Sequence, residues 1–257
     1  MTTATIDAPI FYGKPLTFNP KSHRYTLDGQ PIPSVTTILG RLNKPALIQW
    51  AANCAVDRIK AEAVTPYNDQ MVRVVSDGVL EAARTAHATI RDAAGDVGTI
   101  VHAYAKLRME SAAATYATDL SEDETANRCC RALDAWAGEH DIRSVGVERK
   151  IVSQQYHYAG TCDFYGHIDG KLSVLDFKTG GERVYDEAWL QTSAYELALC
   201  EELGLDADSV WRWVVHINKK TGKVDAQKRL TSTAHTTAWI KLVEFDQQMR
   251  LWKKEAA

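Results

Sequence analysis

Three acid-x-Lys triplets fall between residues 148 and 178: Glu148-Arg149-Lys150, Asp169-Gly170-Lys171 and Asp176-Phe177-Lys178. Residues two apart on a strand share a face, so each triplet can set a carboxylate beside an ammonium. That pair suits hydrolysis of a phosphodiester. Carboxylate oxygens hold Mg2+ or Mn2+, the cation stabilises charge on the phosphate and lowers the pKa of bound water, and a lysine positions that water. Chance supplies about one such triplet in a chain of this length, so context must separate chemistry from coincidence.

Asp169-Gly170 is the strongest kind of two-residue hairpin signal, and the middle triplet therefore reads as a turn. Glu148-Arg149-Lys150 lies in a strand, but the acids before it, Asp134, Glu139 and Asp141, fall on or just after a helix and make no neighbouring strand. Glu148 alone stays a candidate. Asp176-Phe177-Lys178 closes the apolar run "LSVLDF" at a strand's C-terminal end, immediately before Thr179-Gly180-Gly181. Open α/β sheets carry their sites at such ends. Asp176 and Lys178 project together there, while Leu175 and Phe177 turn to the other side. The preceding strand supplies Asp163 in "GTCDFYG", and a hairpin through Asp169-Gly170 brings it beside Asp176. The plainer alternative for Asp176 and Lys178 is a surface salt bridge.

The elements that must hold these residues are legible in outline. "HRYTLDGQPIPSV" reads as a hairpin turning at Asp28-Gly29, with Pro31 and Pro33 forcing an extended exit. Ser34 then caps a short helix that Gly40 ends. From about 45 to 139 the pattern is helical, with Leu47, Trp50, Cys54 and Ile59 at three- to five-residue spacings, and Gly95, Gly98 and the acidic 119–124 stretch divide it into successive helices. From about 143 the character changes to strands rich in Val, Ile, Tyr and Phe. A helix over 184–204 closed by Gly204, two strands joined at Thr221-Gly222 and a terminal amphipathic helix complete the chain. These elements predict an α/β core over residues 143–230 with helices on both faces, preceded by a helical half over 1–142. No repeat, low-complexity tract or linker interrupts them, so a single domain over 1–257 is expected.

With 257 residues, 45% of them hydrophobic, the chain can bury a substantial core. No apolar run approaches the roughly 20 residues that span a bilayer, and "MTTATIDAPIFYGK" lacks the basic start and apolar stretch of a signal peptide, so a cytoplasmic location is the default. Cys54, Cys129, Cys130, Cys162 and Cys200 make an odd count with no C-x-x-C pair, which suggests neither a disulfide framework nor a zinc ribbon. The net charge of −3 argues against a uniformly basic coat, yet residues 1–50 carry Lys14, Lys21, Arg24, Arg41 and Lys44 against only Asp7 and Asp28. Arg212, Lys219, Lys220, Lys223, Lys228 and Arg229 make a second basic stretch. Each reads first as solvated surface.

"GTCDFYG", "VLDFKTG" and "QTSAYELAL", in that order, resemble the RecB-like branch of the PD-(D/E)XK nucleases. The resemblance implies a restriction-endonuclease-like core, a mixed sheet flanked by helices. That branch follows its Asp-x-Lys strand with a helix carrying Gln-x-x-x-Tyr, here Gln191 and Tyr195, whose i, i+4 spacing puts both on one face. It also draws a histidine ligand from a Gly-x-x-His pattern, which "GDVGTIVHAYAK" supplies as Gly98 and His102. Carried onto this sequence, the resemblance implies that His102, Asp163, Asp176 and the Phe177 carbonyl hold a metal. Lys178 would position or activate water, Glu148 would assist at a second metal or through water, and Gln191 and Tyr195 would orient the site. Imidazole is more natural for Mn2+ than for Mg2+, so manganese is expected to support activity.

"PSVTTIL" is similar to a Ser-Val-Thr segment of phage exonucleases in this branch and of the mitochondrial genome maintenance exonuclease. Ser34, Thr36 and Thr37 at a helix start, with Arg41, Lys44 and Thr179, are the DNA contacts expected from it. Trp50 and Tyr104 are aromatics on which bases could stack. The implied activity is a divalent-metal-dependent DNA exonuclease of phage-type recombination, replication or repair. It would act on single strands or free ends and leave a 5′-phosphate and a 3′-hydroxyl. Some relatives hold an iron–sulfur cluster on four cysteines, three of them closely spaced near the C-terminus. No cysteine here follows Cys200 and no such spacing occurs, so no cluster is expected. No helicase motif is present, and any motor or recombination partner would be a separate protein. Two alternatives share the pattern: a non-catalytic DNA-binding module that kept the fold, marked by a broken ligand set, and a structure-specific endonuclease.

Overall fold

The computed structural model describes residues 8–42, 44–62, 64–67, 70–111, 121–181 and 183–255, with the backbone alone at 64–67 and 70. It is a mixed α/β chain. In order it forms β1 (Ile10–Phe11), β2 (Lys14–Asn19), β3 (Arg24–Leu27), β4 (Gln30–Ile32), α1 (Val35–Leu39), α2 (Pro45–Lys60), β5 (Val64–Tyr67), β6 (Gln70–Arg73) and α3 (Asp77–Glu110). Then follow α4 (Glu124–Gly138), β7 (Ile142–Ser153), β8 (Tyr158–Ile168), β9 (Lys171–Gly180), α5 (Asp186–Leu203), β10 (Trp211–Asn218), β11 (Val224–Leu230) and α6 (Thr233–Glu255). Contacts divide the chain into two compact units, residues 1–41 with 100–257, and residues 42–99.

The larger unit is built on a five-stranded sheet in the order β11-β10-β9-β8-β7. β9 and β10 run parallel and every other neighbouring pair is antiparallel, so the sheet is mixed. Asp169 and Gly170 both adopt positive φ, 51° and 74°, which is the backbone a two-residue hairpin requires and explains why Asp-Gly joins β8 to β9. On one face Val214 packs with Ala188 and Trp189 of α5. On the other, Phe177 and Trp213 meet Trp136 of α4 edge-on, each at 6.1 Å between ring centroids. Because side chains alternate along a strand, two helices thus cover opposite faces at β9 and β10. Gly204, at φ 64°, ends α5 in the left-handed conformation.

The N-terminal strands form their own antiparallel sheet, ordered β1-β2-β3-β4, and its inner residues Phe11, Leu16, Tyr25, Leu27 and Ile32 pack on Val152 of β7 and Ala159 of β8. The Asp28-Gly29 turn again has two positive φ angles. The Pro33 carbonyl accepts from Ala159 N–H at 2.9 Å, tying the start of α1 to the central sheet. Trp239 of α6 is fully buried, edge-on to Tyr158 at 5.2 Å. The smaller unit holds α2, the β5–β6 hairpin and the first part of α3, with Cys54 buried and Trp50 edge-on to His87 at 6.4 Å.

Several expectations need correction. Gly95 and Gly98 do not separate helices: α3 runs unbroken from Asp77 to Glu110. A glycine costs a helix interior only about 1 kcal/mol, and the long flanking runs of Ala, Leu, Arg and Glu carry it. The first 142 residues are less helical than their composition suggests, because six short strands stand among the helices. β9 continues through Gly180, its Thr179 and Gly180 paired with Ile217 and Asn218 of β10, where a loop was expected. Tyr104 is buried with its hydroxyl on Asp134 at 3.0 Å, so it offers no stacking surface. The 119–120 part of the acidic stretch lies outside the described residues; Asp123 caps α4 by accepting from Thr125 N–H at 2.7 Å. The five cysteines are buried free thiols. No helix among the described residues is long and apolar enough to cross a membrane.

Candidate metal centre

The site lies in the larger unit, where β8 and β9 part. Their ladder ends at Phe164 opposite Leu175, which puts Asp163 level with Asp176 just beyond the last pair. Past that point β9 is held only on its β10 side. The Asp163 carboxylate turns across the gap and accepts the Phe177 N–H at 2.8 Å. On the other side, β7 places Glu148 level with Asp163 between the pairs Val147–Phe164 and Arg149–Cys162. Glu148 has φ 49°, a left-handed conformation unusual for a non-glycine residue in a strand. Such departures gather at functional positions.

His102, on the stretch of α3 that belongs to this unit, brings its Nδ1 to 3.5 Å from Asp163 Oδ2. The ligand atoms of His102, Glu148 and Asp163 all lie within 4.8 Å of one another. One imidazole nitrogen and two carboxylates at that spacing fit a divalent cation such as Mn2+ or Mg2+. Burial pushes the Asp163 carboxyl up to about 7, Asp176 reinforces the shift, and His102, Lys178 and the Phe177 N–H oppose it. Two carboxyls crowded out of water in this way are a strong demand for a cation.

Asp176 is 1% exposed and faces α5. Its Oδ2 lies 2.6 Å from Lys178 Nζ and its Oδ1 accepts from Gln191 Nε2 at 2.9 Å. Gln191 returns the contact by accepting from Lys178 Nζ at 3.0 Å, and its Nε2 also donates to the Tyr195 hydroxyl at 2.6 Å. One amide therefore bridges an acid, a base and a phenol, because its two N–H groups and its oxygen point in different directions. Burial pulls Lys178 down, but Asp176 and Asp163 outweigh it and hold the ammonium above its ordinary value. Burial, then Asp176 and Asp163, push the Tyr195 phenol well up, so it stays neutral. Asp176 and Lys178 are far from a plain surface pair.

The structure thus brings together His102, Glu148 and Asp163 as one group, and Asp176, Lys178, Gln191 and Tyr195 as another directly beside it. Phe177 joins the two, its backbone against Asp163 and its ring buried on Trp136. Thr179 and Lys178 line a cavity of about 250 Å³ with Gln191, Arg183, Tyr185 and His216. His216 stands opposite Lys178 in the β9–β10 ladder and is 4% exposed. Sequence reading passed over it; the signal was a histidine inside the apolar run "WVVHIN".

Of the expected DNA contacts Thr179 lies at the site, and the others lie elsewhere in the fold. Ser34 accepts from Thr37 N–H at 3.0 Å and shares its hydroxyl with those of Thr36 and Thr37. α1 is only five residues long, too short to build a dipole. Arg41 is engaged by the buried Asp246 at 2.6 Å. Lys44 precedes α2 in the smaller unit.

No family model matches this chain, and no curated protein matches it. Among solved structures it is similar to a candidate exonuclease from Eubacterium rectale, at 13% identity over 63% of this chain and 68% of that one, with a TM-score of 0.44. It is similar also to a protein named SSO0001, at 16% identity over 43% of this chain and 50% of the other, with a TM-score of 0.29. At that distance neither likeness carries an argument about what this chain does. Its own residues must.

Proposed function

We propose that the protein is a divalent-metal-dependent DNA nuclease of RecB-like, PD-(D/E)XK type, working as an exonuclease on single strands or free ends. The observation that supports this best is the convergence of His102, Glu148 and Asp163 within 4.8 Å, next to the buried Asp176 and the half-exposed Lys178, both held by Gln191. A cation held by His102, Glu148 and Asp163, with Asp176 and the Phe177 carbonyl close by, would stabilise charge on a phosphate and make water a better nucleophile. Lys178, kept protonated by two carboxylates, positions that water or the phosphate oxygen. Gln191 fixes the Lys178 ammonium and the Asp176 carboxylate relative to one another, and Tyr195 anchors Gln191. In-line attack then leaves a 5′-phosphate and a 3′-hydroxyl. DNA is the partner, with a separate helicase or recombination protein supplying any unwinding, and the work belongs to recombination, replication or repair of phage type.

The test is cleavage of end-labelled single-stranded, duplex and covalently closed circular DNA with Mg2+ or Mn2+, by wild type, Lys178→Ala and Asp176→Asn. Metal-dependent cleavage of linear DNA that both substitutions abolish is expected, with manganese at least as effective. Cleavage that survives both substitutions removes the assignment, and cutting of closed circles makes the enzyme an endonuclease.

A further inference from the structure

Two cavities open on the larger unit away from Lys178, of about 560 and 790 Å³, and they share Pro31, Pro33 and Arg250. They form one groove between the N-terminal sheet and the C-terminal half of α6. Arg24 lines the first cavity, Arg41, Lys253 and Lys254 the second, and Arg250 both. Among the described lining residues there is no carboxylate. Arg41 and Arg250 both hold the buried Asp246, at 2.6 and 2.5 Å, so those three groups together leave one positive charge facing outward. Arg24, Lys253 and Lys254 add theirs undiminished. On a chain of net charge −3, such a groove is a marked local reversal.

The first cavity is also rich in small polar groups that can donate to phosphate oxygens, including Thr17, Ser22, Ser34 and Thr37. Its wall leads to the metal centre. Tyr25 lines it, and the Tyr25 hydroxyl hydrogen-bonds Thr161 at 2.6 Å, two residues from Asp163 on β8. Lys150 donates to the same Thr161 at 2.8 Å and lies over the Phe18 ring at 4.8 Å, two residues from Glu148 on β7. A basic path that ends beside a cluster built for a phosphodiester points to the polymer that carries one.

We infer that this groove, with the C-terminal turns of α6 as one wall, binds the phosphate backbone of the single DNA strand whose end reaches the metal centre. The inference rests on the nuclease reading for its choice of polymer, and it extends the contacts beyond the Ser34 segment to the far end of the chain. Arg24, Lys253 and Lys254 make backbone contacts without sequence preference, so their contribution depends steeply on salt. Lys150 marks the inner end of the path, where the strand passes from groove to site.

The test is binding of a fluorescein-labelled single-stranded oligonucleotide by anisotropy, in chelator so that no cleavage occurs. The proteins are wild type, a groove variant Arg24→Glu/Lys253→Glu/Lys254→Glu, and a charge-matched control Lys14→Glu/Lys171→Glu/Lys241→Glu outside the groove. The groove variant is expected to bind roughly tenfold or more weakly than the control, with the slope of log affinity against log salt reduced by about 2. Equal affinity and equal slope in the two triple variants would overturn the inference. So would a wild type that binds no oligonucleotide. Cleavage by Lys178→Ala is scored separately, so the nuclease reading can fail while the groove stands, and the reverse.

Discussion

Gln191 is the residue on which the second half of the site turns. Its Oε1 accepts from Lys178 while its Nε2 donates to both Asp176 and Tyr195. Gln191→Glu keeps the shape but replaces two donated hydrogens with a second carboxylate against Asp176, so it should impair the site more than Gln191→Ala does. We expect single-turnover cleavage with Mn2+ to fall about 10–100-fold in Gln191→Ala and further in Gln191→Glu. Equal rates in the two variants would show that the amide donates nothing that matters. Glu148 makes a separable case, because it belongs to the metal cluster and not to the amide network. Glu148→Gln should weaken Mn2+ binding at least about tenfold, read from the free-ion electron paramagnetic resonance signal without any DNA present. Retained Mn2+ affinity would move Glu148 out of the ligand set.

At the scale of elements, the Asp169-Gly170 turn sets the register that places Asp163 level with Asp176. Gly170 sits at φ 74°, a conformation that costs an L-residue about 1–2 kcal/mol. Asp169 also accepts from His140 at 2.9 Å and from Asp141 N–H at 3.1 Å, so the turn is fastened to the end of α4. Gly170→Val should therefore lower the melting temperature by several degrees, at about 2–4 °C per kcal/mol, in thermal unfolding followed by circular dichroism. An unchanged melting temperature would mean that the turn does not determine the register.

This turn is also where sequence reading was strongest, since Asp-Gly between two strand-like runs has one common structural solution. Asp163, Asp176 and Lys178 were legible because that solution fixes their relations. From the residues alone Glu148 was readable only as a lone acid, given a role by the family resemblance, because nothing in "SVGVERKIVS" announces a positive φ inside a strand. The unbroken α3 was hidden for the opposite reason. Glycine is a break signal, and the strong helix formers on either side of Gly95 and Gly98 outweighed it. His102 could be singled out only through a pattern shared with a known family, because a histidine on a helix has no chemistry until the fold supplies two carboxylates.

At the scale of the whole molecule, the most consequential buried charge lies outside the site. Glu196 of α5 and Arg212 of β10 are both nearly inaccessible, with Arg212 Nε 3.4 Å from Glu196 Oε2. Arg212 donates to Ser193 and, at 2.9 Å, to the Leu230 carbonyl, while the Thr231 hydroxyl shares its one hydrogen between Glu196 and, at 2.6 Å, the Ala207 carbonyl. This cluster ties α5, β10 and the end of β11 together, so its protonation is felt by the sheet as a whole. Burial pushes the Glu196 carboxyl up to about 8, with Arg212 drawing it only partly back. A carboxyl whose folded value stands above its unfolded one favours the native state while it is protonated. Its contribution is fully present below the ordinary value of 4.5 and is lost as pH rises through that value toward about 8. Glu196→Gln keeps an acceptor for Thr231 and cannot ionise, so it should lose less stability than wild type between pH 5 and pH 8. The difference should be on the order of 1–3 kcal/mol in urea unfolding. Comparing the two proteins at each pH cancels the opposing contribution of His216, whose value burial lowers and which therefore favours the native state as pH rises. Parallel stability profiles would place a permanent carboxylate beside Arg212 and make the cluster an ion pair at every pH tested.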